Sequence, residues 1–250
     1  MGNLIKLEIS HEGIALLKMQ DHAGKNAFTQ DFFNELMEKL TAFKDEKVKV
    51  CIFQGMDDVF CSGGDRKALL DLAEQKMEPY DLRLTRALLD IPIPAIAAME
   101  GHATGGGLIL GLSCDIVIMA NESSYGCPFM NMGFTPGMGI TGLLRYSMGE
   151  YLAAEMLFAG QYFRGSRFKE RSLINYIEPK DKVFPKAIDI ASRIAEKPRS
   201  ALELLKRTLS LQRRKSFEEA STLESFMHEI CFKDPKTYDR IKNNFVGNKE

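Results

Sequence analysis

The 250-residue sequence carries no surplus charge of either sign: Lys and Arg total 33, Asp and Glu total 34, and the formal net charge is −1. A broad basic footprint for nucleic acid is therefore excluded. No apolar run approaches the roughly 20 residues of a membrane-spanning helix. The first residues lack the apolar core of a signal peptide. Position 6 is Lys, where a myristoylation motif needs Ser or Thr. The five cysteines, Cys51, Cys61, Cys114, Cys127 and Cys231, are odd in number and form no CxxC pair. Buried, reduced thiols fit that pattern better than disulfides or a metal site. No repeat, low-complexity tract or flexible linker is evident. These absences predict a soluble, cytoplasmic protein with no metal, cofactor, nucleic-acid or membrane partner.

What is present is 45% hydrophobic residues, enough for one large core with at most a small appendage. Leu4–Ile9 and Gly13–Met19 read as a hairpin. Thr29 can cap a helix whose face carries Phe32, Phe33, Leu36, Met37, Leu40 and Phe43. Val48–Phe53, Pro94–Met99 and Cys114–Ala120 are apolar enough for buried strands, and helical spacing lies between them. Tyr125–Met130 reads as a loop, and Gly160 as a helix stop. Past Phe184 only helical periodicity remains. The pattern predicts an α/β core with parallel pairing over residues 1–180 and a helical part over 181–250.

Glycine is concentrated at three turns. Gly101-His102-Ala103-Thr104-Gly105-Gly106-Gly107 joins an apolar strand to an apolar helix. Ser62-Gly63-Gly64-Asp65 does the same about 40 residues earlier, and Gly133–Gly139 opens another helix. Glycines after a strand let another group approach the backbone. They also leave N–H donors free at a helix start, where partial positive charge collects. One such turn is equally compatible with tight helix–strand packing; two converging on one point would make an oxyanion hole.

With Lys25-Asn26-Ala27-Phe28, Phe60–Asp65, Ile93–Gly107, Cys114–Ala120 and Gly133–Gly139 in this order, the sequence resembles the crotonase (enoyl-CoA hydratase/isomerase) superfamily. The resemblance covers most of residues 3–145 and extends into Lys197–Lys206. It implies a spiral of stacked strand-strand-helix units, a helical C-terminal region used for trimerisation and for capping the active site, and trimers or pairs of trimers. It also implies a thioester whose carbonyl oxygen is held by the N–H groups of Gly64 and Gly106.

Two departures redirect the chemistry. The positions of the two hydratase glutamates are Ile109 and Phe129 here. Neither can activate water or protonate carbon, so ordinary hydration is rejected; both are expected to line an acyl pocket. Decarboxylation needs an oxyanion hole but no carboxylate base. Lys18–Asp21, Ala97–His102, Asn131–Gly139 and Met227-His228-Glu229 are similar to the decarboxylating hydratase-like enzymes of polyketide β-branching. That similarity implies a 3-methylglutaconyl group on the phosphopantetheine of an acyl carrier protein, converted to a 3-methylcrotonyl thioester. It implies a catalytic histidine, matched by His228, and a lysine, matched by Lys76 with Lys67 as the alternative. His228 would protonate carbon, and the lysine would hold the departing carboxylate. A lone histidine or lysine taken from composition alone is more often structural or solvated. His102 is expected beside the pocket as a support of the turn, and Asp65 as a helix cap. Lys206, Arg207, Arg213, Arg214 and Lys215 form one basic cluster, either a solvated helix face or a docking patch for an acidic carrier. An acyl-CoA double-bond isomerase and a non-catalytic crotonase-like scaffold remain open as alternatives.

Overall fold

The computed structural model describes residues 3–74, 76, 81–169 and 174–245. Its strands are β1 (Ile5–Ile9), β2 (Ile14–Met19), β3 (Ala27–Phe28), β4 (Val50–Gln54), β5 (Val59–Cys61), β6 (Gly63–Gly64), β7 (Ala95–Met99), β8 (His102–Thr104), β9 (Ile116–Ala120), β10 (Ser124–Gly126), β11 (Tyr162–Arg164) and β12 (Tyr176–Glu178). Its helices are α1 (Gln30–Leu40), α2 (Arg66–Ala73), α3 (Asp81–Leu89), α4 (Gly106–Leu112), α5 (Ile140–Met148), α6 (Glu150–Ala159), α7 (Gly165–Lys169), α8 (Lys180–Ala195), α9 (Arg199–Leu209), α10 (Leu211–Cys231) and α11 (Pro235–Asn244).

The strands form a six-stranded sheet, β1-β2-β4-β7-β9-β12, a four-stranded sheet, β11-β10-β8-β5, and the short pair β3-β6. β1 and β2 are the antiparallel hairpin, in register Ile5 to Met19. β4, β7 and β9 pair in parallel. Each turn of the chain gives one strand to the large sheet and the next to the small one, as β4-β5, β7-β8 and β9-β10 do, before a helix returns. This is the stacked strand-strand-helix spiral expected from the sequence. The Thr29 cap is present, its hydroxyl accepting from Phe32 N.

The continuous apolar runs of β4 and β7 follow from burial on both faces. Cys51, Phe53, Ala97 and Met99 face the main core, while Val50, Ile52, Ile96 and Ala98 face the other way. That second face is covered by α8 through Val183, Ala187, Ala191 and Ala195, spaced four apart on one stripe. The boundary expected at residue 180 thus falls before a helix that completes the sheet's own core.

Two local expectations change. Tyr125–Met130 is not a loop: β10 takes its first residues and a 3₁₀ turn, Pro128–Met132, the rest. Tyr125 is buried there because its hydroxyl donates to Met99 O at 2.8 Å and accepts from Ala120 N at 2.9 Å. The basic cluster is not one surface. Lys206 and Arg213 turn inward onto Asp115, each at 2.5 Å, and Arg213 also donates to Cys114 O. Arg214 pairs with Asp90. Of residues 75–80, only Lys76 lies within the described residues.

Candidate active site

Asn26 brings the first glycine turn into place. It sits in the left-handed region, φ 54°, with its side chain fully buried. Its Oδ1 accepts from Asp21 N, and its Nδ2 donates to Met19 O and Phe60 O. The bend is thereby tied to the end of β5, and β3 lies parallel to β6, Phe28 opposite Gly64. Gly63 has φ +82°, and a Cβ built there would stand 2.3 Å from Thr104 O and 2.9 Å from Gly106 N. Only a residue without a side chain fits. The two glycine turns therefore meet, which brings Gly64 up against the first residue of α4. At the start of that helix Gly106 N–H has no acceptor within the helix.

Apolar groups wall this cradle. A side chain at Gly106 would strike the Phe28 ring at 2.6 Å and Met138 Sδ at 2.8 Å; one at Gly105 would lie 3.3 Å from the tip of Phe129. A phenyl ring thus occupies this rim. Phe129 packs edge-on to Phe134, centroids 5.9 Å apart.

His228 enters from α10. Its Nε2 lies 2.8 Å from Thr135 O. A carbonyl only accepts, so Nε2 carries the hydrogen and Nδ1 is the ring nitrogen left free of that bond. The rings of Phe134 and Phe232 meet the imidazole edge-on. Two features hold α10 against this loop. Gly142 lets the helices touch, since a Cβ there would be 2.1 Å from Ser216 O. Glu224, one turn before His228 and buried, accepts from Gly139 N at 2.6 Å and from Thr141 N and Oγ1 at 2.8 and 2.7 Å. It caps the N-terminus of α5.

Gly64, Gly106, Phe129, His102 and His228 all line one cavity of about 510 Å³. The expected oxyanion donors and the expected histidine are brought together. His102 stands at its edge. Its Nδ1 accepts from Ser124 N at 2.8 Å, and burial, then Lys180 and Arg164, hold its imidazole below the ordinary range. Asp65, the one carboxylate lining this cavity among the described residues, is spent as a cap, accepting from Ala68 N at 3.0 Å.

Three expected site residues lie elsewhere. Ile109 is fully buried in the main core and does not line the cavity. Every residue of α4 is buried, so counting along the chain from Gly107 reaches the helix interior and not the pocket wall. Lys76 is exposed and pairs with Glu74, which raises its pKa; Lys67 is exposed and pairs with Asp71 at 3.1 Å. Neither lines the cavity. The cations that do are Lys25 and Arg66, which the sequence did not single out. Four of the five cysteines are buried and Cys231 is half-buried; burial pushes the Cys61 and Cys114 thiols up to about 12 and those of Cys51 and Cys127 up as well. A wider groove of about 980 Å³ between the β1-β2 hairpin and α8 contains none of the site glycines.

The enoyl-CoA hydratase/isomerase family model matches residues 10–243. The chain belongs to the enoyl-CoA hydratase/isomerase family. Its fold is the crotonase fold. Among family members, the bacillaene synthase decarboxylase PksI of Bacillus subtilis (strain 168) is 37% identical over 240 residues, covering 96% of this chain and 95% of that protein. A solved structure from a dehydratase/decarboxylase enzyme couple involved in polyketide beta-branching superposes with a TM-score of 0.93 at 36% identity, over 97% of this chain and 99% of the other. The ECH2 decarboxylase domain of CurF from Lyngbya majuscula gives 0.92 at 32% identity, over 98% and 100%. Family members that hydrate are also similar: mouse mitochondrial methylglutaconyl-CoA hydratase is 31% identical, over 74% of this chain and 62% of that protein.

Proposed function

We propose that the protein decarboxylates a 3-methylglutaconyl-type thioester, carried on the phosphopantetheine of an acyl carrier protein, to a 3-methylcrotonyl-type thioester. The observation that carries this reading is the cavity's inventory. It has a backbone cradle for an oxyanion and a histidine, while the one carboxylate lining it among the described residues is already spent as a helix cap. Hydration would need a carboxylate to activate water. Decarboxylase relatives covering nearly the whole chain support the same reading.

In the reaction the thioester oxygen accepts hydrogen bonds from Gly64 and Gly106. The bond to the carboxylate carbon breaks, CO₂ leaves, and its electron pair moves into the thioester as a dienolate. The two N–H donors stabilise that charge in a site walled by Phe28, Phe129 and Met138. His228 then delivers the proton on Nδ1 to carbon while Nε2 stays bonded to Thr135 O. The resemblance assigns the departing carboxylate to Lys76, which in the structure lies outside the cavity and would have to leave Glu74 and swing in to reach it. Assembly as a trimer, or a pair of trimers, in the cytoplasm is part of the same reading. It is supported by an exposed apolar series on α9 and α10 that includes Leu205, Leu209, Phe226 and Ile230.

The test is product mass from a carrier-bound 3-methylglutaconyl substrate. A decrease equal to CO₂ is expected, and His228→Gln should slow it about 10²- to 10⁴-fold. An unchanged mass with a moved double bond would make the protein an isomerase. Undiminished product in cells carrying His228→Ala would make it a scaffold.

A further inference from the structure

Arg66 opens α2 immediately after the Gly63-Gly64-Asp65 turn and lines the cavity. Its Nη2 donates to Lys242 O at 2.9 Å, in the last turn of α11, where a cation suits the helix dipole. Its Nε is buried and has no hydrogen-bond partner. The side-chain bond it makes is to a backbone carbonyl, and the adjacent Asp65 is turned to Ala68 N. An orphaned buried donor is costly, more so when charged, and native proteins rarely leave one. Lys25, the other cation on the cavity, is exposed and solvated and bears no such cost. Around Arg66 the cavity is largely apolar, with Leu69, Leu72 and Phe245 lining it.

We propose that Arg66 is the specificity-determining residue for a carboxylate at the far end of the acyl chain. This rests on the decarboxylase reading and adds to it the group that selects a dicarboxylic acyl thioester over a monocarboxylic one. Nε and one Nη form a planar fork that receives both carboxylate oxygens. Nη2 has a second hydrogen, so the bond to Lys242 O is kept. The contact exists in the ground state and vanishes when the carboxylate leaves as CO₂, so it contributes to binding and not to the chemical step. Lys76 lies beyond the other end of α2, about 12 Å of helix away, and the two cations have separable effects.

The experiment measures binding of glutaryl-pantetheine and of uncharged pentanoyl-pantetheine to the full chain by calorimetry, in wild type, Arg66→Met and Arg66→Lys. Wild type should prefer the glutaryl thioester. Arg66→Met should weaken glutaryl binding about 10- to 100-fold and leave pentanoyl binding unchanged, and Arg66→Lys should restore part of the preference. With the decarboxylating substrate, Arg66→Met should raise KM and leave kcat undiminished or higher, because the contact weakens as the carboxylate leaves. A preference retained in Arg66→Met overturns the assignment. So does equal loss of both ligands, which would mark Arg66 as a tie to α11 only. If wild type prefers glutaryl and Arg66→Met does not, yet no CO₂ is released, the anion site stands and the decarboxylase reading falls. If CO₂ is released and the preference survives Arg66→Met, the reverse holds.

Discussion

At the scale of single residues, the site depends on which atoms are already engaged. Glu224 spends its carboxylate on Gly139 and Thr141 and so holds the loop whose Thr135 carbonyl orients His228. Glu224→Gln keeps one acceptor and loses the charge. It should cost about 1–3 kcal/mol in urea unfolding and lower the CO₂-release rate, because the histidine rides on the same helix. His102 behaves differently. Its Nδ1 must stay bare to accept from Ser124 N, and burial and two cations keep its imidazole below its ordinary value. As pH falls, the unfolded chain binds the proton first. The contribution of His102 is complete above about pH 6.5 and is lost as pH falls through the folded value. Unfolding midpoints between pH 7.5 and 5 should drop more for wild type than for His102→Gln. That Gly64, Gly106 and His228 share one cavity was legible in the sequence, because turns and a short ordered set of motifs mark them. Arg66 and Lys25 were not: a cation beside a cavity and a cation in solvent look alike until packing separates them. Ile109 was misplaced because distance along the chain does not say which side of a helix a residue takes.

At the scale of elements, β4, β7 and β9 were readable because burial on both faces makes them continuously apolar. β8, β10 and β11 have three residues each, too few to show an alternation. Their places are fixed by pairing with distant strands, which no local pattern encodes. The meeting of the two glycine turns is likewise a tertiary fact, and it has a sharp consequence. Gly63→Ala would force a side chain into a left-handed position 2.3 Å from Thr104 O. The expected loss is at least about 2 kcal/mol in thermal unfolding, with activity falling in step as Gly64 leaves Gly106.

At the scale of the whole molecule, the C-terminal helices divide their labour. α10 carries the histidine, and α9 and α10 leave large apolar side chains in water: Leu209 is 67% and Ile230 73% exposed. Burying one such side chain contributes about 1.5–3 kcal/mol, so a self-association surface should be sensitive to charge there. If the proposed trimer forms through this surface, Leu209→Asp with Ile230→Asp should give a monomer in light scattering where the wild type gives the larger mass. Asp115 sets a separate requirement, since Lys206 and Arg213 converge on it from α9 and α10. Asp115→Ala should cost about 3–5 kcal/mol, because two buried cations would lose their counter-charge. The inward turn of these two cations also removes two of the five members of the basic cluster that the sequence offered as either a solvated face or an acidic-carrier patch.

The cover that α8 lays over β4, β7 and β9 also imposes an order in time. The sheet is complete through β9 at Ala120, but the stripe that closes its second face ends at Ala195. At 5–20 residues per second, a ribosome needs roughly 4–15 s to add those residues. During that interval a nascent chain presents Val50, Ile52, Ile96, Ala98 and Ile118 uncovered, a face suited to a ribosome-bound chaperone. Chains stalled to expose residue 170 should be captured and cleaved readily, and chains stalled to expose residue 210 should resist both.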